Sequence, residues 1–505
     1  MRTLNSAKNL ASSLGITFIM LFLGFITRKV FVDNIGVEYL GLNGLLGNIL
    51  GIMSLLEGGF ATSVVYNLYK PLAQDDKPKI IALLQLYRKV YIYIALGIFI
   101  FSLILYPFIG YFIKDADNLE YISIVYFIFV FNSLIGYFTA YKWSIINANQ
   151  QVYKLTTINL VYQVGLNLTK LAILYYTKNY ILYLVVESIF GVCLNIAIVK
   201  KANQLFPYIN TKEKYVVETD TKSNIITNMK ALFLHRIGGY FMHQTDNIVI
   251  SSFIGVATIG YYSNYTLIAS TISRMSGQIL SSFSESVGNL IASESSDKSY
   301  QVFKTIFFVN FLVTSIPVII LFNCIDPFIC GWLGEEYCIN RMTIYVILLN
   351  YYINQMRSSS QTFKTKAGIF IQDRYTPLFQ GIINVFLSLC FVNYWGLTGV
   401  LFATTLSYLS IGFWQFPRLC YVYIFHKPLW LYFRKYIFYT FIGIIALIIS
   451  ARVCTICNFE NDFINVITNG MITFICIIVI YFLAFRKTYA FNQLMLYVKS
   501  ILFSN

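Results

Sequence analysis

Fourteen apolar segments, each long enough to cross a bilayer, follow one another between residues 10 and 485. A helix rises about 1.5 Å per residue, so about 20 apolar residues span a hydrocarbon core roughly 30 Å thick. Inside that layer every backbone N–H and C=O must be satisfied by the chain itself, which for segments of this length leaves the α-helix. The sequence is 57% hydrophobic and 12% charged, whereas soluble domains carry about 25% charged residues. The expected fold is therefore an all-α integral membrane protein with 14 transmembrane helices. Too little chain remains outside the spans for a soluble catalytic domain.

A net charge of +15 taken alone would suit a nucleic-acid partner. The placement of the charges excludes it. With the N-terminus inside, 28 of the 37 Lys and Arg residues fall in inner segments. Six fall outside, namely Arg28, Lys29, Lys114, Lys178, Arg341 and Arg452, and three lie within spans. This positive-inside bias puts both termini in the cytoplasm, and the basic excess faces membrane lipid rather than nucleic acid. Arg2 and Lys8 precede an apolar run with no small-residue cleavage site, so the first span is expected to stay as an anchor.

The three intramembrane cations are Lys170, Arg236 and Arg274. At 100° per residue, Arg236, Gly239, Tyr240, His243, Asp246 and Asn247 share one helical face. A charge facing lipid costs about 2.5–3.5 kcal/mol on insertion scales, so this stripe should face protein or a water-filled cavity. Arg236 and Asp246 stand about 15 Å apart along the axis and cannot pair with each other. Each needs another partner, either a neighbouring helix or a transported group. Lys170 lies about 10 Å from the outer end of its span, within reach of snorkelling. Arg28 and Lys29 at an outer helix end either meet lipid phosphates or line an anion path. Glu57 precedes Gly58-Gly59 near the inner end of the second span, and Glu187 has no partner legible in the sequence.

Ile35-Gly36-Val37 with Gly41 returns as Ile254-Gly255-Val256 with Gly260, 219 residues later. At that offset Asn5 matches Asn224 and Asn9 matches Asn228; Gln150 with Tyr153 is echoed by Gln372 with Tyr375. An internal repeat of this kind predicts two six-span halves of parallel topology. The expected boundaries are an N-terminal lobe over 1–200, a polar cytoplasmic linker over 201–230, a C-terminal lobe over 231–430, and two added spans with the tail over 431–505.

No Walker A sequence, H-E-x-x-H, G-x-S-x-G or paired Cys/His metal spacing is present. The outer loop 326–341 is too short for a glycan-building site. The chain thus reads as no enzyme, with no cofactor, and any work it does would draw on an ion gradient or on its substrate's own gradient. Most of the nine cysteines lie in apolar segments, and the lone Cys454-x-x-Cys457 is a weak redox or metal signal.

The Leu40-Gly41-Leu42-Asn43-Gly44-Leu45 turn and Leu56-Glu57-Gly58-Gly59 resemble the polysaccharide repeat-unit flippases of the multidrug/oligosaccharidyl-lipid/polysaccharide (MOP) exporter superfamily. Thr245-Asp246-Asn247-Ile248-Val249-Ile250-Ser251, and Arg374-Tyr375-Thr376-Pro377 running into Asn384, are similar to that family's seventh and eleventh spans. The resemblance implies two pseudo-symmetric six-helix lobes in a V plus two C-terminal helices, in a bacterial cytoplasmic (inner) membrane. It implies alternating-access transfer of undecaprenyl-diphosphate-linked oligosaccharide from the cytoplasmic to the periplasmic leaflet, with polysaccharide polymerase and chain-length proteins as associates. Under that reading Arg236 and Arg274 bind the diphosphate, with Lys170 and Arg28 along the same path, because guanidinium forks match phosphate oxygens. Asp246 and Glu57 then serve as sites for the coupling ion, H+ or Na+. The alternative is a cation-coupled multidrug exporter of the same architecture, whose pocket should be apolar or acidic.

Overall fold

The computed structural model describes residues 20–114, 119–149, 151–369, 372–457 and 459–502. Asn5, Asn9 and Gln150, and the side chain of His243, lie outside what is described. Among the described residues every regular element is helical. Seven helices are long and apolar enough to cross a membrane, or eight if Ile122–Phe138 and Ala140–Ala148, bent by 48°, form one span. The protein is a multi-pass membrane protein. One of these stretches, Thr376–Phe425, covers 50 residues and turns at Gly396, whose φ of 53° is open to glycine. The eleventh and twelfth apolar segments flank that turn.

The helices group into two units. The N-terminal unit covers residues 23–260; the C-terminal unit comprises residues 20–22 with 261 onward. In the N-terminal unit α1 (20–35) and α2 (Val37–Gly51) meet at Gly36, where φ is 103°. A 3₁₀ turn (Ile52–Glu57) and two positive-φ glycines, Gly58 and Gly59, lead into α3 (Phe60–Ala73). The stretch Leu40–Leu45, expected as a turn, is thus helical, and the break comes at Glu57–Gly59 instead.

Next come α4 (Lys77–Leu105), α5 (Ile122–Ile135), α6 (Ala140–Ala148), α7 (Thr156–Thr177) and α8 (Tyr180–Leu205). The basic stretch 70–89 is largely the first turns of α4. Its Ile80, Leu83 and Tyr87 are buried against Phe60, Val64 and Leu68 of α3. The unit closes with α9 (Thr219–His243) and α10 (Thr245–Phe253). Part of the segment expected as a solvated linker is also anchored. Val217 and Ile225 join the same core, Gln85 donates to the Glu213 carbonyl at 2.6 Å, and Lys79 pairs with Glu218 at 2.8 Å.

The two copies of the Ile-Gly-Val repeat pack on each other within this unit. Gly255, like Gly36, has positive φ and starts α11 (Val256–Ser281) as Gly36 starts α2. A Cβ on Gly41 would overlap the carbonyl oxygen of Val256, and one on Gly260 would overlap that of Val37. The contact is reciprocal: each glycine faces the other copy's valine. Gly44 and Gly51 extend the row, the first against Ile259 and the second against Gln244. Small residues let helix backbones approach in lipid, where no hydrophobic force draws helices together.

The remaining helices are α12 (Ser284–Ser293), α13 (Ser296–Leu333), α14 (Arg341–Met356), α15 (Ser358–Lys366), α16 (Thr376–Ser410), α17 (Gly412–Cys420), α18 (Trp430–Ile456), α19 (Asp462–Phe485) and α20 (Tyr489–Leu502). They build an aromatic core in which Phe307, Phe308 and Phe311 of α13 meet Tyr432 and Tyr439 of α18 and Phe485 of α19. The last two apolar spans, α18 and α19, contribute one face to this core. A disulfide joins Cys330, in the last turn of α13, to Cys338 in the loop before α14.

Any side chain at Gly41 or Gly260 collides with a carbonyl, which can yield only by moving a helix. Overpacking of this kind costs about 1–3 kcal/mol or more. Gly41→Ala and Gly260→Ala should each lower the melting temperature of the detergent-purified protein. Gly47→Ala, whose Cβ would meet nothing within 4 Å, should leave it unchanged.

Candidate functional site

Helices α7, α9 and α11 have 22, 25 and 26 residues but are too polar to count as spans by composition alone. They carry Lys170, Arg236 and Arg274, so the three intramembrane cations sit on helices that need protein neighbours.

Arg236 finds its partner at the break in the second span. Its Nη1 donates to Glu57 Oε2 at 3.0 Å. Glu57 ends the 3₁₀ turn just before the two positive-φ glycines, so its carboxylate projects where no continuous helix would place it. The Tyr91 hydroxyl donates to the other oxygen, Oε1. Tyr91 is itself fixed by stacking on Tyr87, with ring centroids 4.3 Å apart, and by Tyr137 at 5.4 Å. The Arg236 side chain keeps 33% of its exposure and Glu57 15%. The pair is therefore shielded, yet the guanidinium is open to a competing anion.

A second cluster lies between α7 and α8. Lys170 donates to Glu187 Oε2 at 2.7 Å and stands 4.2 Å above the Tyr183 ring. Lys170 is buried, so it does not snorkel as its position near a span end suggested. Arg28, half-buried on α1, lies within electrostatic range of the same tyrosine. Phe31 packs edge-on to Tyr183 at 5.2 Å and to Tyr180 at 6.0 Å. Arg28 and Lys170 thus share one aromatic side chain, and Glu187 pairs with Lys170. Lys29 turns away to Asp33 at 3.0 Å.

Asp246 sits half-buried in the first turn of α10, where a carboxylate suits the positive end of a helix. Arg274 belongs to the C-terminal unit. It is exposed, and its Nη2 donates to Thr271 Oγ1, one turn earlier, at 2.9 Å. That unit holds buried charges of its own. Lys364 pairs with Asp373, and Arg357 is sandwiched by the rings of Tyr408 at 4.7 Å and Phe416 at 5.5 Å.

Sequence reasoning missed Tyr91, Tyr183 and the Lys170–Glu187 pair. The last was accessible. Helices α7 and α8 are joined only by Lys178 and Asn179, and Lys170 and Glu187 each stand seven residues from that turn. In a helical hairpin, equal distances from the turn bring two residues to one level. No local signal marks Glu57 as the partner of Arg236, 179 residues away. Cys454 and Cys457 are free thiols, and among the described residues no cluster of His, Cys, Asp and Glu could hold a metal ion.

No model of a protein family matches the sequence, and no curated protein does. Solved structures do share the fold. The lipid II flippase MurJ in an inward closed conformation aligns with a TM-score of 0.69 and 14% identity, over 93% of this chain and 98% of that one. An inward-facing multidrug resistance MATE family transporter of the MOP superfamily aligns at 0.59 and 12% identity, over 79% and 96%. A MOP superfamily transporter from Pyrococcus furiosus, described by a binding pocket of reverse polarity, aligns at 0.53 and 13% identity, over 80% and 92%. The chain therefore shares its fold with these proteins.

Losing one member of a buried ion pair costs about 3–5 kcal/mol because a charge is stranded. The Glu187 side chain keeps 42% of its exposure, so Lys170→Met should fall below that range while still lowering the melting temperature. Adding Glu187→Gln should recover most of the loss in a double-mutant cycle. Additive losses would show that the two side chains do not interact.

Proposed function

We propose that the protein is a flippase for undecaprenyl-diphosphate-linked oligosaccharide, carrying it from the cytoplasmic to the periplasmic leaflet of a bacterial inner membrane by alternating access. The observation that carries this reading is a guanidinium inside the N-terminal unit that can trade partners: Arg236 pairs with Glu57 yet keeps a third of its side-chain exposure. Arg236, Lys170 and Arg28 are set there among tyrosines, on a fold shared with a lipid II flippase. A pocket for cationic drugs would be acidic or apolar. The extent of the likeness supports the same choice. The lipid II flippase aligns over 93% of the chain and the MATE transporter over 79%, a difference close in size to the segment 431–505.

The Arg236–Glu57 pair supplies a way to couple substrate to an ion. With substrate absent, Glu57 neutralises Arg236. An incoming diphosphate takes the guanidinium, and the released carboxylate takes a proton or cation in exchange. Tyr91 holds the carboxylate in place through either state. Asp246 is a second ion site at the start of α10. Lys170 and Arg28 extend the anion path within the N-terminal unit.

Charge-assisted hydrogen bonds contribute about 1.5–3 kcal/mol, or roughly 10–100-fold in affinity. Arg236→Ala should weaken binding of the lipid-linked diphosphate by that factor and stop its flipping in proteoliposomes, with insertion retained but the melting temperature lowered, because Glu57 loses its partner. Glu57→Gln keeps the acceptor for Tyr91 but removes the charge. It should bind the lipid more tightly and make flipping independent of an imposed pH or Na+ gradient. Normal flipping by Arg236→Ala, or efflux of cationic drugs by the wild type, would favour the multidrug reading.

The proposed orientation, fourteen spans with both termini in the cytoplasm, places the Cys330–Cys338 loop in the periplasm, an oxidising compartment. A membrane-impermeant maleimide applied from outside should label these two cysteines only after reduction. Labelling confined to inverted vesicles would reverse the topology.

A further inference from the structure

On the N-terminal unit, α5 and α8 lie side by side. Helix α8 presents Val185, Ile189, Val192, Ile196 and Val199, all β-branched and spaced four, three, four and three residues apart. Ile124, Ile128, Phe131, Ile135 and Phe138, on α5 and the 3₁₀ turn that follows it, repeat that spacing. A seam of this kind normally closes by knobs entering holes. Here the helices approach at Gly191, where an added Cβ would lie 3.9 Å from Ile135 Cδ1, and beside that contact the seam stays open. Two cavities of about 710 Å³ and 540 Å³ meet at Phe131 and Val192, which line both.

Together they form one groove, from Ser123 and Val185 at one end to Thr139 and Lys200 at the other. Val185 to Lys200 is about 22 Å of helix, whereas one leaflet of the hydrocarbon core is about 15 Å thick. The lining is apolar until the Lys200 end, where Thr139 donates to Asn195 and the exposed ammonium of Lys200 stands at the mouth.

We propose that this groove binds the isoprenoid chain of a polyprenyl-phosphate lipid, with the phosphate held at Lys200. Three features select this occupant. The groove runs past the midplane, further than a chain confined to one leaflet needs. Its α8 wall is lined with branched methyl groups, which complement a methyl-branched chain. Its cation lies at the one end where the apolar lining stops, on the side where the Lys and Arg distribution puts the cytoplasm. The proposal rests on the flippase reading and deepens it, as a docking seat that the lipid occupies before its phosphates pass to Arg236.

The test uses the full-length protein in nanodiscs of phosphatidylethanolamine and phosphatidylglycerol, with a polyprenyl phosphate bearing a photoreactive group midway along its chain. Label should map to peptides of α5 and α8 and be displaced by unlabelled polyprenyl phosphate. Ile189→Trp and Ile196→Trp change outward-facing, half-exposed side chains, so folding is spared; both should abolish the label. One lysine at the membrane surface is worth roughly a fivefold change, so Lys200→Gln should need about five times more probe and Lys200→Arg should restore it. Displacement by added phosphatidylglycerol as readily as by polyprenyl phosphate would reduce the groove to a seat for bulk lipid and overturn the proposal. So would label unchanged in both tryptophan variants. Flipping measured in the same preparations separates the two claims. Flipping with label only outside α5 and α8 sinks the groove alone, and no flipping with no label anywhere sinks both.

Discussion

A charge buried in the hydrocarbon layer must be answered from within the protein, and the N-terminal unit is arranged to give that answer twice. Water cannot solvate the ion there, so an unmatched guanidinium or ammonium would favour leaving the helix bundle or losing its proton. Arg236 is answered by Glu57, and Lys170 by Glu187 with the face of Tyr183. These matches explain local features that otherwise look like defects. The second span breaks at Glu57–Gly59 because a continuous helix would not aim the carboxylate at α9. Helices α7 and α9 are poorly apolar because one face of each is committed to polar neighbours.

The same unit depends on close backbone approach. Gly41 and Gly260 each remove the atom that would strike the other repeat's backbone, and the positive φ of Gly36 and Gly255 sets the angle at which α2 and α11 start. One sequence element, used twice at a spacing of 219 residues, thereby makes a self-complementary contact. A reciprocal contact of this kind is what a local twofold between the two copies of the motif produces.

How much of this was legible follows from where the information is stored. The helical class was legible because the bilayer allows no other solution for segments of this length. The repeat was legible because Ile-Gly-Val with a glycine four residues on is a strict local pattern. Arg236, Lys170 and Glu57 could be singled out one by one, since an ionisable residue in an apolar run is conspicuous. Their pairing was not, because Glu57 and Arg236 are separated by 179 residues and nothing local fixes which helices meet. Tyr91 was hidden for a different reason. Among 40 tyrosines only its neighbours distinguish it, and those are set by the packing of α3, α4 and the turn at Gly136–Phe138. The anchoring of the 201–230 segment was hidden because Val217 and Ile225 are sparse in a polar run, yet each enters the α3–α4 core.

A carrier has to cross between two states without stranding charge in either. If Arg236 stood alone, the substrate-free protein would hold a bare guanidinium in the membrane, and returning empty would be costly. With Glu57 beside it the empty site is neutral, and with a diphosphate in its place the carboxylate must itself be neutralised. A group that binds both states equally shifts no equilibrium, so what drives the cycle is the difference between them. Under the proposed function, exchange at Arg236 would create that difference at one atom pair, with the carboxylate serving either as the partner of the guanidinium or as a site for a proton or cation.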